Sequence, residues 1–323
     1  MRVGEPSELI LVRGVTKRSG TNYLYDLLCQ HPDCAGARRP VWEDFFLDEA
    51  ANLRSFVVHV GRRWHPRWGV DSEQVSAELM QRFGTALSDF LTTGVDARTA
   101  VAKSPSVAGL EEASALFPEA KLIVLVRDGR SVAVSAMRSF GWSFDRALHD
   151  WRRGARQVLA FHSANTAENG RQYLIVRYED LLSDVKSVMS QLFTFVGLDA
   201  SAVETSALTD LPVRGSSTFG TTVNSSGNYR PTWTPVAKDE SFAPQLRADS
   251  LTASQRRLFD WLAGDELAAL GYSREPDATR TLDQASLPLH LARCLAKDRA
   301  RRARRYINRE VRPRLSTAGH HRD

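Results

Sequence analysis

Four short apolar runs punctuate this chain, at Leu9–Val12, Ala100–Ala102, Lys121–Val126 and Tyr173–Val176. They read continuously instead of alternating with polar residues. A strand wetted on one face alternates, whereas a strand covered on both faces need not. Helix-like stretches lie between and after them, at Tyr23–Gln30, Ser72–Leu91, Gly109–Phe117, Ser131–Ser139, Ser143–Asn165, Asp184–Val196 and Thr252–Leu270. Buried strands alternating with helices imply βαβ units. The expected fold is therefore α/β, a central parallel sheet flanked by helices, in one domain over residues 1–274. In such sheets ligands bind beyond the carboxyl ends of the strands. Attention thus falls on the loops after Val12, Ala102, Val126 and Val176.

The loop after Val12 is TKRSGTNYL, Thr16 to Leu24. It joins a strand to a helix, the P-loop-like arrangement by which helix N-termini hold phosphate. Backbone N–H groups at Ser19, Gly20, Thr21 and Asn22 would open that helix. Ser19 and Thr21 add hydroxyls, and Lys17 and Arg18 add charge. The same residues also suit a simple strand–turn–helix, with Ser19 as the cap and two solvated cations. An ATP-binding loop of the form GxxxxGK[ST] does not fit, because Gly14 and Gly20 are six apart and Thr21 stands where the Lys belongs.

A second strand–turn–helix is KLIVLVRDGRSVAVSAMRS, Lys121 to Ser139. Ser131, Ser135 and Ser139 fall at i, i+4 and i+8 and share one helix face. Arg127 at the strand end and Ser135 in the second helical turn could grip one phosphate together. Small residues for close helix packing would give the same pattern.

Taken in order, these elements resemble the sulfotransferases that use 3′-phosphoadenosine 5′-phosphosulfate (PAPS). TKRSGTNYL is similar to the family's 5′-phosphosulfate loop, with a basic residue before Ser-Gly-Thr. Lys121–Ser139 is similar to its 3′-phosphate segment, with Arg and Ser eight residues apart. RYEDL, Arg177 to Leu181, and HPDCAGARR extend the likeness over roughly residues 8 to 272, with the HP turn pointing to the bacterial and Golgi-type branch. The resemblance implies PAPS as donor, PAP as product, and no metal. It implies that Arg18 and Lys103, in AVAKSP, stabilise the transferring group. It implies that a glutamate soon after the HP turn is the general base. In ARRPVWEDFF that residue is Glu43, with Asp44 next. Both stand among aromatics, where a carboxylate is partly desolvated, a setting suited to a base. His59 in FVVHV is the rival base, although a lone His in an apolar stretch also suits the core. Tyr23 and Tyr178 could face the adenine, or serve as core tyrosines. Arg214-Gly215 could close over the 3′-phosphate, or belong to a mobile loop; Leu211–Asn228, rich in Gly, Ser, Thr and Asn, reads as one long loop.

The charge is uneven. Residues 285–323 hold 11 Lys and Arg against 3 Asp and Glu, a net of +8, so the rest carries 32 against 35, or −3. Residues 275–323 are read as a linker and a basic helical extension, able to touch a membrane surface or a polyanion. No aromatic-rich motif points to nucleic acid. Cys29, Cys34 and Cys294 contain no CxxC, which argues against a disulfide framework or zinc site and suits a reducing cytoplasm. The first residues lack a signal-peptide pattern, and no run approaches the roughly 18 apolar residues of a membrane helix. The expected activity is O-sulfotransfer to a hydroxyl acceptor. Two rivals remain: a small-molecule kinase in which Asp128 binds Mg²⁺, and a non-catalytic nucleotide- or membrane-binding module.

Overall fold

The computed structural model describes residues 8–38, 43–64, 66–165, 173–213, 219–223, 229–233 and 250–274. Five parallel strands form the sheet: β1 (Glu8–Gly14), β2 (Cys34–Gly36), β3 (Thr99–Ser104), β4 (Lys121–Val126) and β5 (Tyr173–Arg177). Their order is β2-β3-β1-β4-β5. The four apolar runs are the four long strands. β1, β3 and β4 bury both faces, as continuous apolar composition suits, whereas β5 at the sheet edge is partly open. Leu9, Leu11, Ala100, Ala102, Leu122 and Val124 enter one apolar cluster. The residues between them, Ile10, Val12, Val101, Ile123 and Leu125, enter the other.

Helix α1 (Thr21–Leu28) and α8 (Val185–Val196) cover the second face. The first face lies under α2 (Ala50–Gly61), α3 (Ser72–Thr92), α4 (Ala113–Leu116), α5 (Gly129–Phe140), α6 (Phe144–Ala164) and a late helix, Ala253–Ala269. Between these come α7 (Tyr178–Ser183) and α9 (Thr205–Thr209); the late helix is accordingly α10. The helix starts are chemically marked. Asp71, Asp128, Ser143 and Asp184 each accept from a backbone N–H of the first turn. Thr252 and Gln255 form a reciprocal capping box.

Several elements depart from expectation, α7 and α9 among them. Strand β2 has only three residues at the sheet edge, too short to stand out as an apolar run. The FVVHV stretch is helical, within α2, and His59 lies on its exposed side, with Nδ1 2.9 Å from the Ser55 carbonyl. It is not a core histidine. Part of the Leu211–Asn228 stretch read as a loop is a strand: β6 (Phe219–Val223) pairs antiparallel with β7 (Tyr229–Trp233), which follows that stretch. Arg214, Gly215 and the extension 275–323 lie outside the described residues. No helix among the described residues is long and apolar enough to cross a membrane.

The connection after β1 runs to one side of the sheet and the connection after β4 to the other. That divergence opens a crevice at the carboxyl ends of these neighbouring strands, where α/β sheets bind ligands.

Candidate active site

The TKRSGT loop lies in this crevice. Its geometry is set by two left-handed residues, Arg18 with φ 76° and Gly20 with φ 100°. The alternative reading made Ser19 the helix cap, but its hydroxyl instead closes the loop. It donates to the Thr16 carbonyl at 2.6 Å and accepts from the Thr16 N–H at 3.2 Å. Gly20 takes the cap position, and no side chain bonds the first turn of α1. An uncapped helix start carries partial positive charge and unsatisfied N–H groups, which suits an anion. Gly20 has a second constraint: a Cβ there would lie 2.4 Å from the Tyr178 ring. Gly20→Ala is therefore expected to cost about 1–3 kcal/mol from backbone strain alone and to weaken anion binding. Thermal melts and PAP titration check this; a variant with unchanged stability and affinity would refute the packing.

Arg18 turns toward α5. Its Nε donates to Ser135 Oγ at 2.9 Å, and its guanidinium sits 5.6 Å from the Phe140 ring centre. Arg127 follows β4 and comes back beneath the loop. Its Nη1 donates to the Arg18 carbonyl at 3.0 Å, and its guanidinium stacks 4.3 Å from the Tyr178 ring centre. Trp151 donates to the Arg127 carbonyl at 2.9 Å, holding that backbone in place. Arg127 is 4% exposed, yet its Nε and Nη2 have no hydrogen-bond partner among the described residues. Orphaned donors on a buried cation are costly, and a bound phosphate would satisfy them. Arg18 thus joins the loop to both partners, its side chain to Ser135 and its carbonyl to Arg127.

The tyrosines serve this cradle from behind. Tyr178 is 2% exposed and walls Gly20 and Arg127. Tyr23, 1% exposed, packs edge-on to it at 6.3 Å and belongs to the apolar core, where burial pushes its phenol pKa up. It has no open face to lay on an adenine, so the core alternative holds for this residue. Thr21 is buried and Asn22 half-buried at the start of α1.

A second cluster lies at the end of the neighbouring strand. Lys103 pairs with Val12 in the β1–β3 register and is 7% exposed. Its Nζ is 3.6 Å from Glu43 Oε1, and the Glu43 side chain keeps 35% of its surface open. The Asp44 N–H donates to the Lys103 carbonyl at 2.9 Å, which fixes this segment to the strand end.

Sequence reasoning missed what anchors that segment. Arg13, in β1 and wholly buried, ion-pairs with Asp44 at 2.5 Å and donates to the Asp44 carbonyl at 3.1 Å. Asp44, 2% exposed, is a structural partner of Arg13; it does not share the open position of Glu43. Burial pushes its carboxyl pKa up, and the Arg13 guanidinium works against that shift. A charged residue inside an otherwise apolar strand was the available signal.

Asp128, which a kinase would use for Mg²⁺, is engaged otherwise. Oδ1 accepts from the Arg130 N–H at 2.8 Å, and Oδ2 from Arg130 Nη2 at 2.7 Å. Among the described residues no group of three or more His, Cys, Asp or Glu could hold a metal ion.

The pattern of the sulfotransferase family matches residues 10–202, more than half of the chain and all of both clusters. The chain belongs to the sulfotransferase family. It is similar to a Caenorhabditis briggsae protein named "Putative protein-tyrosine sulfotransferase", at 27% identity over 209 residues, 60% of this chain and 67% of that protein. Among solved structures it is similar to a sulfotransferase from Alicyclobacillus acidocaldarius, at 16% identity and TM-score 0.47, covering 86% of this chain and all of that one. The sulfotransferase domain of the Synechococcus PCC 7002 olefin synthase is 23% identical with TM-score 0.43, covering 64% and 77%. At such distances this sulfotransferase must be read from its own residues.

Proposed function

We propose that this sulfotransferase moves a sulfuryl group from PAPS to a hydroxyl of a small-molecule, glycan or lipid acceptor by metal-free in-line displacement. The observation that carries the donor is the buried Arg127 guanidinium with two orphaned nitrogens, beside Ser135 and an uncapped helix. PAPS, when bound, supplies an activated sulfuryl group and a bisphosphate leaving group. Arg127 and Ser135 hold the 3′-phosphate. The N–H groups opening α1, approached closely over Gly20, hold the 5′-phosphate. Arg18 links the two phosphate elements through Ser135 and neutralises charge between them. Lys103 places a cation where negative charge develops, and Glu43 takes the acceptor proton. Catalysis of this kind rests mainly on positioning and charge stabilisation. The sparse cysteines favour the cytoplasm as its site of action.

The deciding experiment titrates the purified chain with PAP and with ATP plus Mg²⁺. Tight binding of PAP is expected, weakened about 10- to 100-fold in Arg127→Ala, as for loss of a charge-assisted hydrogen-bonding group. Binding of ATP with no binding of PAP would overturn the reading in favour of a kinase.

A further inference from the structure

The two cations of the TKRSGT loop part company. Arg18 reaches Ser135, whereas Lys17 is exposed and lines a cleft of about 630 Å³ on the other side of the loop. That volume suits a small-molecule ligand. The cleft also includes Phe45, two residues after Glu43, and Pro105, two residues after Lys103. It therefore opens beside the proposed base and its cation. Its far wall is one face of α6, where Arg146, Asp150 and Arg153 stand at i, i+4 and i+7. Gly154 lets this helix approach the loop closely, since a Cβ there would lie 1.9 Å from the Val15 carbonyl.

From the charges in this cleft we infer that the acceptor is a small hydroxyl compound carrying an anionic group of its own, a carboxylate or a phosphate. This rests on the sulfotransferase reading above. Three cations, Lys17, Arg146 and Arg153, face two carboxylates, Asp48 and Asp150. Asp150 is shared, 2.9 Å from Arg153 and 3.8 Å from Arg146, so one carboxylate is divided between two guanidinium groups. Asp48 is also engaged, bonded to Ser106. No carboxylate among the described residues pairs with Lys17. The excess positive charge stands out because residues 1–284 carry a net charge of −3. The Arg forks match a carboxylate or phosphate geometrically. Trp142, with Arg146 stacked 3.9 Å from its ring centre, and the half-exposed Phe45 supply apolar walls for the rest of the molecule.

The test uses the full chain saturated with PAP and three matched probes: 4-hydroxyphenylacetate, 4-hydroxybenzylphosphonate and 4-hydroxyphenylacetamide. Calorimetry at low salt should show at least one anionic probe binding about tenfold tighter than the amide. The two anions against each other distinguish carboxylate from phosphate. Arg153→Gln combined with Arg146→Gln should reduce the preference to near one while PAP affinity stays unchanged; Arg82→Gln on α3, outside the cleft, should retain it. Equal binding of all three probes, binding of none, or a preference that survives the double substitution would overturn the inference. Failure to bind PAP in the first place would instead break the donor reading on which it rests.

Discussion

Glu43→Gln should lower turnover of PAPS with a hydroxyl acceptor by about 10²- to 10⁴-fold, the range for loss of a general base. Affinity for PAP should stay within about twofold. The two quantities separate because the proposed phosphate cradle and the proposed base sit on different strand ends. Arg127 and Ser135 follow β4, whereas Glu43 is held at the end of β3 by Lys103. Among the carboxylates and the histidine weighed for the role, Glu43 alone combines an open side chain with a cation at 3.6 Å. Asp44 is buried against Arg13, and His59 faces outward from α2. Binding and single-turnover measurements on one preparation read both quantities. Undiminished turnover would move the base elsewhere; a parallel loss of PAP affinity would make Glu43 part of the nucleotide site.

The second large effect concerns stability. Asp44→Ala should cost about 3–5 kcal/mol of unfolding free energy, because it leaves the wholly buried Arg13 charge without its partner. Denaturant unfolding at neutral pH measures this. Replacing the pair together, Arg13→Met with Asp44→Leu, should be close to neutral or stabilising, since burial of two ions consumes most of what their attraction returns. A loss below about 1 kcal/mol in Asp44→Ala would mean that water reaches Arg13 once the carboxylate is gone.

The two predictions meet in one short segment. Asp44 ties the chain to β1 through Arg13 and to β3 through the Lys103 carbonyl, while its neighbour Glu43 points to the open side. Turnover in the doubly apolar variant would show how far the placement of Glu43 depends on that tie.

Much of this arrangement was legible in the chain. Strands covered on both faces are continuously apolar, so β1, β3 and β4 announced themselves, and β5 did so by its apolar run at the sheet edge. Helix starts carry Asp, Ser or Thr, so most helix boundaries fell within a few residues of expectation. That the TKRSGT loop, Arg127 and Ser135 stand close together could be anticipated from their fixed steps from two strand ends. What stayed hidden depends on which partner a group finds once the chain is folded. The period of FVVHV is ambiguous between strand and helix until α3 packs against it, and β2 is recruited by β3 without an apolar run of its own. Ser19 is a plausible cap until Thr16 claims its hydroxyl. Nothing local distinguishes Lys17 from Arg18, or Glu43 from Asp44. Only the fold, by bringing Ser135 to one cation and α6 to the other, and Arg13 to one carboxylate and Lys103 to its neighbour, gave each a separate place. Side-chain direction follows from which groups are near enough to bond, and that is decided by packing between segments that lie from 31 to 117 residues apart in the chain.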